Sequence, residues 1–238
     1  FHFMEDLKYK LTKKFNCTFV NDRSKKNILI HLKNKDAWFC HPSPEYKIDK
    51  SVLKKNNLRL IATPSTGINH IDLDFCKKKK IKVMSILKKK RTKTIKASSE
   101  FTFLLILASL RKLILAKEKV TMGYWRNIEN ELRGFELSNK NVGIIGYGRI
   151  GKNIEKYSKA FGASVKIYDP YVSKIESKNL TQNINNVLRV SDIVVVCITY
   201  NKKNNNFVNK RFFNKLKKGC IFVNTSRGEV VDESALIK

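Results

Sequence analysis

Cysteines are few in this sequence, and no long apolar run is present. The five cysteines form no C-x-x-C pair and their number is odd, a usage that indicates neither a disulfide framework nor a zinc site; they stand at positions 17, 40, 76, 197 and 220. We therefore expect no metal and place the protein in a reducing cytoplasm. The most apolar run, 101–110, is too short to cross a bilayer, so we expect no membrane association.

Acidic residues are also few, because 49 basic residues face only 20 acidic ones, a formal net charge of +29. Such a charge favours binding to nucleic acid. However, 39 of the basic residues are Lys and 10 are Arg, whereas specific nucleic-acid contacts favour Arg. No helix-turn-helix, RRM or zinc-finger pattern is present. We interpret the charge as a solvated, compositionally biased surface and expect no specific nucleic-acid partner, with nucleic-acid binding kept as a third functional class.

Short β-branched runs alternate with helical patterns along the chain, whose 238 residues are 42% apolar. This alternation indicates βαβ units in an α/β fold with parallel sheets, and the strand candidates are 17–20, 37–40, 58–62, 82–84, 142–145, 165–168, 193–198 and 221–224. The Lys-rich stretch 88–96 is interpreted as a linker, which puts two domains at 1–96 and 97–238. A serine in Ala97-Ser-Ser-Glu100 is expected to cap a long apolar helix over 101–117.

A glycine-rich turn follows the strand candidate 142–145. The run Gly146-Tyr-Gly148-Arg-Ile-Gly151 precedes a helical pattern, and Asp169 ends the next strand candidate, 18 residues beyond Gly151. Gly146 permits a tight turn, Gly148 lets the backbone approach a pyrophosphate, and Gly151 allows close helix packing. The phosphates would then bind to the free N–H groups of the helix N-terminus. This context predicts a dinucleotide site.

The position of Asp169 indicates which dinucleotide binds. A carboxylate there accepts hydrogen bonds from the adenosine ribose and repels a 2′-phosphate, which favours NAD over NADP. The alternative is a structural glycine turn followed by an ordinary loop aspartate. We expect the cofactor-binding residues to be Gly146, Gly148, Arg149, Ile150, Gly151 and Asp169.

Four further segments, taken in order, resemble the D-2-hydroxyacid dehydrogenases, the group that includes phosphoglycerate dehydrogenase. They are Pro64-Ser-Thr-Gly-Ile-Asn-His-Ile-Asp72, Arg133-Gly-Phe-Glu-Leu137, Ser191-Asp192 and Val223-Asn-Thr-Ser-Arg-Gly-Glu-Val-Val-Asp232. The resemblance runs from about residue 37 onward. It implies a flavodoxin-like substrate domain followed by a Rossmann-type doubly wound NAD-binding domain, incomplete at its C-terminus. It also implies pairing into a homodimer through the nucleotide domain.

The resemblance implies interconversion of a D-2-hydroxy acid and its 2-keto acid, with 3-phosphoglycerate or a related small acid as the substrate. The alternative is a non-catalytic NAD-binding sensor or corepressor-like member. Arg227 follows a strand candidate, and its planar fork can grip a carboxylate and polarise the adjacent carbonyl. The backbone amides of Thr66 and Gly67 can hold the same carboxylate. Where the family has a His-x-Pro-x-Thr run, this chain has Cys197-Ile-Thr199-Tyr-Asn201, and we expect Thr199 to contact the cofactor.

No residue of this chain matches those that transfer the proton in the family. The family uses a His oriented by a Glu, both well downstream of its arginine, whereas this chain has eleven residues after Arg227. The His residues stand at 2, 31, 41 and 70, and His70 is interpreted as a loop or helix-cap residue. We therefore expect a fragment of an enzyme, inactive by itself.

Overall fold

The computed structural model describes residues 5–42, 44–86, 92, 94–173 and 177–237. These belong to two compact units, 1–92 and 93–238, whereas the sequence placed the boundary after residue 96. Much of the predicted linker, residues 88–91 and 93, lies outside the described residues. In the described part of the chain, no helix combines the length and apolarity needed to cross a membrane.

The first unit has a parallel sheet of three strands in sequential order, β1 (Ala37–Phe39), β2 (Leu60–Ala62) and β3 (Lys82–Met84). Its helices are α1 (Glu5–Thr12), α2 (Lys25–His31), α3 (Lys50–Leu53) and α4 (Leu73–Lys78). Ser24, Asp49 and Asp72 cap α2, α3 and α4, because each side chain accepts a hydrogen bond from a backbone N–H of its helix. The core consists of apolar side chains that include Ile48, Leu53 and Ile61.

Residues 17–20 form no strand, so that prediction was wrong. Thr18 and Phe19 are exposed, and the Thr18 hydroxyl accepts a hydrogen bond from the Lys35 ammonium at 2.9 Å. β-branched and aromatic residues favour a strand only where they fit a pleated, half-buried surface. Among the described residues, no strand pairs with this run.

The second unit has a parallel sheet of five strands, β4 (Asn141–Ile145), β5 (Ser164–Tyr168), β6 (Leu180–Thr181), β7 (Ile193–Val196) and β8 (Ile221–Asn224). Their spatial order is β6-β5-β4-β7-β8. The chain therefore starts in the middle, runs outward to one side, and then crosses to build the other side. The strand order reverses between β4 and β7, and in open α/β sheets ligands bind at the carboxyl ends of strands beside such a reversal.

Helices lie along the second unit at α5 (Ala97–Leu110), α6 (Leu113–Thr121), α7 (Glu129–Leu132), α8 (Arg149–Ala160), α9 (Asn185–Leu188), α10 (Lys210–Phe213) and α11 (Glu233–Leu236). Short 3₁₀ turns are present at Arg126–Ile128, Lys202–Asn204 and Gly228–Val230. Strands β4 and β7 are buried on both faces. Val142 and Ile144 of β4 pack into one apolar cluster, whereas Ile145 packs into the other. The β-branched runs of β4 and β7 are therefore strands buried on both faces of a parallel sheet, whereas β5 has one buried face, because Ser164 and Lys166 are exposed.

The observed helix differs at both ends from the one predicted over 101–117. It begins at Ala97 and ends at Leu110, and Lys112, with a left-handed φ of 51°, separates it from α6. The predicted serine cap was wrong, because Lys96 precedes the helix and makes no side-chain capping bond. Ser99 lies inside α5, fully buried, and its hydroxyl accepts a hydrogen bond from the Asn153 amide at 2.9 Å.

Candidate functional site

Four strands of the second unit end side by side, and the predicted site residues follow them. The register pairs Ile145 with Tyr168 on one side and with Val196 on the other, and Val196 with Asn224. Gly146, Asp169, Cys197 and Thr225 are the next residues of these strands. The glycine turn, the acidic residue and the arginine loop therefore share one edge of the sheet.

The glycine turn is packed too tightly for side chains at two positions. Gly146 has a φ of +97°, and a Cβ there would lie about 3.0 Å from backbone atoms of Cys197 and Ile198. A Cβ at Gly151 would lie 2.2 Å from the Gly146 carbonyl oxygen. These contacts bring α8 directly against the turn, so that its first N–H groups reach the edge of the sheet.

Gly148, by contrast, borders open space. A Cβ built there would meet nothing within 4 Å. Gly148 is the N-cap residue of α8 and makes no side-chain capping bond, so the first N–H groups of this 12-residue helix remain available to a ligand. The first turn carries Arg149 and Lys152 and no acidic residue. Backbone donors, the helix dipole and basic residues together fit an anionic group such as a pyrophosphate.

The Asp169 carboxylate is held beside this turn. Its Oδ2 accepts a hydrogen bond from the Tyr147 N–H at 2.7 Å, and its Oδ1 accepts one from the Tyr171 N–H at 2.9 Å. A carboxylate has about four acceptor positions, so two remain for other donors. Asp169 is half-buried. This arrangement fits the two hydroxyls of a ribose whose phosphate lies on α8.

The predicted cofactor-binding residues Arg149, Ile150 and Thr199 offer different groups to a ligand. The Arg149 guanidinium donates a hydrogen bond to the Ile95 carbonyl, and the half-buried Ile150 packs against the core. Both residues therefore offer their backbone N–H groups at the start of α8. Thr199 is exposed after β7, and its carbonyl accepts a hydrogen bond from the Asn204 amide at 2.8 Å. The Asn201 side chain is used to cap the 3₁₀ turn that follows it.

Arg227 lies in a tight loop after β8, built by Asn224. The Asn224 Oδ1 accepts hydrogen bonds from the Ser226 N–H at 3.0 Å and from its hydroxyl at 2.6 Å, and Nδ2 donates to the Arg227 carbonyl at 2.9 Å. The Thr225 and Thr102 hydroxyls are 2.8 Å apart, which ties the loop to α5. Arg227 is exposed, and its Nη1 donates a hydrogen bond to the Ser226 carbonyl. The loop thus presents a guanidinium at the carboxyl end of the sheet.

Thr66 and Gly67 lie in the first unit, in the loop that follows β2. The Ser65 hydroxyl joins this loop internally, because it donates to the Gly67 carbonyl and lies 3.1 Å from the Thr63 hydroxyl. Within the ranges that the structure covers, no hydrogen bond uses the N–H of Thr66 or Gly67. Both residues are half-buried. Two adjacent backbone donors of this kind suit a carboxylate.

Cys197 follows β7 beside the glycine turn and packs against the apolar core. Burial raises the pKa of its thiol to about 12, so the thiolate that would act as a nucleophile or metal ligand is scarce at neutral pH. No group of three or more His, Cys, Asp or Glu that could hold a metal ion occurs among the residues with described positions. The chemistry offered by the site is therefore hydrogen bonding and positive charge.

Both parts of the chain match models of one protein family. Residues 103–238 match the family model "D-isomer specific 2-hydroxyacid dehydrogenase, NAD binding domain", and residues 2–93 match the catalytic domain of the same family. The chain belongs to the D-isomer specific 2-hydroxyacid dehydrogenases. The predicted family, the α/β fold with a Rossmann-type domain, and NAD as the cofactor are confirmed.

Relatives of the chain differ in the activities that they are named for. It is 32% identical over 80% of its length to D-3-phosphoglycerate dehydrogenase of Archaeoglobus fulgidus, and 32% identical over 90% of its length to glyoxylate reductase of Thermofilum pendens. It spans 36% of the first relative and 64% of the second. The D-lactate dehydrogenase of Aquifex aeolicus, solved with NAD and lactic acid, superimposes with a TM-score of 0.75 at 28% identity, covering 99% of this chain and 68% of that one.

Two features of the site were not predicted from the sequence. Asn224 shapes the arginine loop, and the bond between Thr102 and Thr225 tethers it, yet nothing in the sequence marks a bond between residues 123 positions apart. Glu155 of α8 binds the Tyr147 hydroxyl inside the glycine turn. Here a signal was present, because Glu155 shares the buried face of α8 with Gly151, Ile154 and Ser158, where a charged residue is unexpected.

Proposed function

We propose that this chain is the cofactor- and substrate-binding part of an NAD-dependent dehydrogenase that interconverts a D-2-hydroxy acid and its 2-keto acid. The observation that carries the proposal is the arginine loop after β8, which shares one edge of the sheet with the glycine turn and Asp169. Arg227 is the catalytic residue in this proposal. When bound, NAD⁺ would accept the hydride in the oxidation, and NADH would donate it in the reduction.

Each chain residue has a role that its position supports. The Arg227 fork binds the substrate carboxylate and polarises the neighbouring carbonyl, which stabilises the negative charge that develops on oxygen during reduction. The Thr66 and Gly67 amides of the first unit bind a carboxylate. Asp169 binds the adenosine ribose, and the start of α8 binds the pyrophosphate. Thr199 contacts the cofactor from the segment after β7.

The substrate belongs to the small 2-hydroxy and 2-keto acids. Names among the relatives include phosphoglycerate, glyoxylate and lactate, which share a carboxylate next to the reacting carbon. Of these we propose 3-phosphoglycerate or a related small acid. All five cysteines of the chain are free, which suits the reducing cytoplasm that we propose as its location.

The decisive test measures NADH oxidation by the full-length gene product with a panel of 2-keto acids. The panel contains phosphohydroxypyruvate, hydroxypyruvate, glyoxylate and pyruvate. Replacing Arg227 with lysine keeps the charge and loses the fork, so kcat/KM should fall by about 100-fold or more. Arg211→Lys, at an exposed position in α10, is the matched control and should leave kcat/KM unchanged. NADH binding without turnover of any acid would instead favour a non-catalytic sensor or corepressor-like protein.

We also propose that the protein forms a homodimer through its second unit. Large apolar side chains are exposed between residues 113 and 135, including Ile114 at 68%, Met122 at 70% and Trp125 at 70%. Large apolar side chains exposed within one short segment of the chain suit a contact between proteins. Trp125→Lys should shift the mass measured by light scattering from dimer to monomer. Ile30→Lys, at an exposed position in α2 of the first unit, should not.

A further inference from the structure

Tyr147 is the one residue with a side chain between the two glycines of the turn, and three contacts fix it. Its ring is buried in the main apolar cluster of the second unit, with 6% of the residue exposed. Its N–H donates to Asp169, and its hydroxyl donates to the Glu155 carboxylate. Because glycines place little restriction on the backbone, the side chain of Tyr147 adds a restraint that the glycines cannot supply and helps to hold this turn in one conformation.

Glu155 is itself anchored from three other directions. Its Oε1 accepts hydrogen bonds from Lys159 at 2.7 Å, Asn179 at 2.7 Å and Ser177 at 3.0 Å. Lys159 is on α8, whereas Ser177 and Asn179 lead into the edge strand β6. Only 7% of Glu155 is exposed. The carboxylate is thus a fixed point between helix and sheet, and its second oxygen is directed at the glycine turn.

A buried charge at this place is not explained by stability alone. Well-packed apolar residues stabilise a helix–sheet contact as well as a buried ion pair does, whereas a hydrogen-bonded carboxylate defines one geometry. The residue whose geometry it defines is Tyr147, which connects the pyrophosphate-binding turn to Asp169. We propose that Glu155 acts through the Tyr147 hydroxyl as a positioning residue, holding the glycine turn in the conformation that binds the cofactor's pyrophosphate. The inference rests on the proposed binding of NAD(H).

The first test removes the hydroxyl with Tyr147→Phe and measures binding of NADH, ADP-ribose and adenosine to the full-length gene product. Loss of a hydrogen bond to a charged acceptor should raise the Kd of NADH and of ADP-ribose by about tenfold. The Kd of adenosine, which has no pyrophosphate, should stay within about twofold of the wild-type value. Tyr157→Phe is the matched control, because the Tyr157 hydroxyl on the same helix has no hydrogen bond within the described structure, and it should change none of the three constants.

The second test asks whether Glu155 acts through Tyr147. Glu155→Gln should weaken NADH binding by at least as much as Tyr147→Phe, because one amide oxygen cannot accept from all four donors. In the Tyr147→Phe background the same substitution should weaken NADH binding by less than about twofold. In turnover assays, the KM for NADH should rise while kcat at saturating NADH stays within about twofold.

The outcomes separate this inference from the proposed function. If the wild-type protein binds no NADH, the proposed function is overturned and the inference with it. If the wild type binds NADH and Tyr147→Phe binds it equally tightly, only the inference is overturned. Equal weakening of ADP-ribose and adenosine, or additive effects in the double variant, would also overturn it, since either result indicates a general structural disturbance.

Discussion

Replacing Gly151 by alanine would test the close packing of α8 on the glycine turn. A Cβ at residue 151 would lie 2.2 Å from the Gly146 carbonyl oxygen and 3.3 Å from the Ile144 Cγ2. Real Cβ contacts essentially never fall below 3.0 Å, so helix and turn have to separate by about 0.8 Å, a shift that close-packed interiors transmit to their neighbours. The nearest atoms belong to backbone, which cannot rotate away as a side chain could.

The expected free-energy change combines two opposing effects. Overpacking destabilises by about 1–3 kcal/mol. The higher helix propensity of alanine offsets about 0.5–1 kcal/mol of this. Gly151→Ala should therefore lower the free energy of unfolding by about 1–2 kcal/mol, measured by urea denaturation without ligand. The Kd of NADH should rise about tenfold, because the first N–H groups of α8 move with the helix.

Gly148→Ala is the matched substitution in the same turn. Its φ of −76° suits alanine and the new Cβ meets no atom within 4 Å, so stability should change by less than about 1 kcal/mol. NADH binding should nevertheless weaken, because the methyl group occupies the space left for the pyrophosphate. If Gly151→Ala unfolds at the wild-type urea concentration and binds NADH normally, the packing argument is wrong. If Gly148→Ala binds NADH as tightly as the wild type does, the pyrophosphate does not occupy the space beside Gly148.

Three other predictions follow from the same structure. Asp169→Ala should narrow the preference for NADH over NADPH in binding titrations, and a wild type that binds NADPH as tightly as NADH would refute the role of this residue. Burial alone would raise the pKa of Glu155 and of Asp192, but their hydrogen bonds, from Lys159 and Asn141 among others, outweigh it and lower both values. The stability that they contribute is present above the ordinary carboxyl pKa and lost as pH falls through the lowered one, so unfolding midpoints should hold between about pH 7 and pH 5 and drop below about pH 4. Iodoacetamide at neutral pH should label Cys17 faster than Cys197, as read by mass spectrometry, because burial raises the pKa of the Cys197 thiol and makes its thiolate scarce; equal labelling rates would contradict this reasoning.

Local patterns in the sequence were enough to predict most of the fold of the second unit. The β-branched runs marked its buried strands, and the glycine spacing marked the turn, because strand burial and backbone freedom depend on the residues at the position itself. The strand predicted at 17–20 failed because a strand needs a neighbour that local residues do not reveal. The break near Lys112 escaped for a similar reason, since apolar residues continue on both sides of it.

The site was predicted less completely than the fold. Its chemistry-bearing residues, such as Asp169 and Arg227, follow strands and carry recognisable neighbours in sequence. The residues that hold them in place do not. Glu155 is eight positions from Tyr147, and Thr102 is 123 positions from Thr225, so each pairing exists only once helix and sheet have packed. Hydrogen bonds that depend on tertiary packing have no local signature.

The first turns of α5 form hydrogen bonds with two parts of the site, the pyrophosphate-binding helix α8 and the arginine loop. The Ser99 hydroxyl accepts from Asn153 on the pyrophosphate-binding helix, and Thr102 contacts Thr225 in the arginine loop. A change in any one of these four side chains therefore alters a partner on a different element. Across homologous sequences, positions 99 and 153 should vary together, and so should positions 102 and 225, while each pair drifts independently of the other. The start of α5 is thus an evolutionary constraint as well as a mechanical one, since it limits which substitutions either half of the site can accept alone.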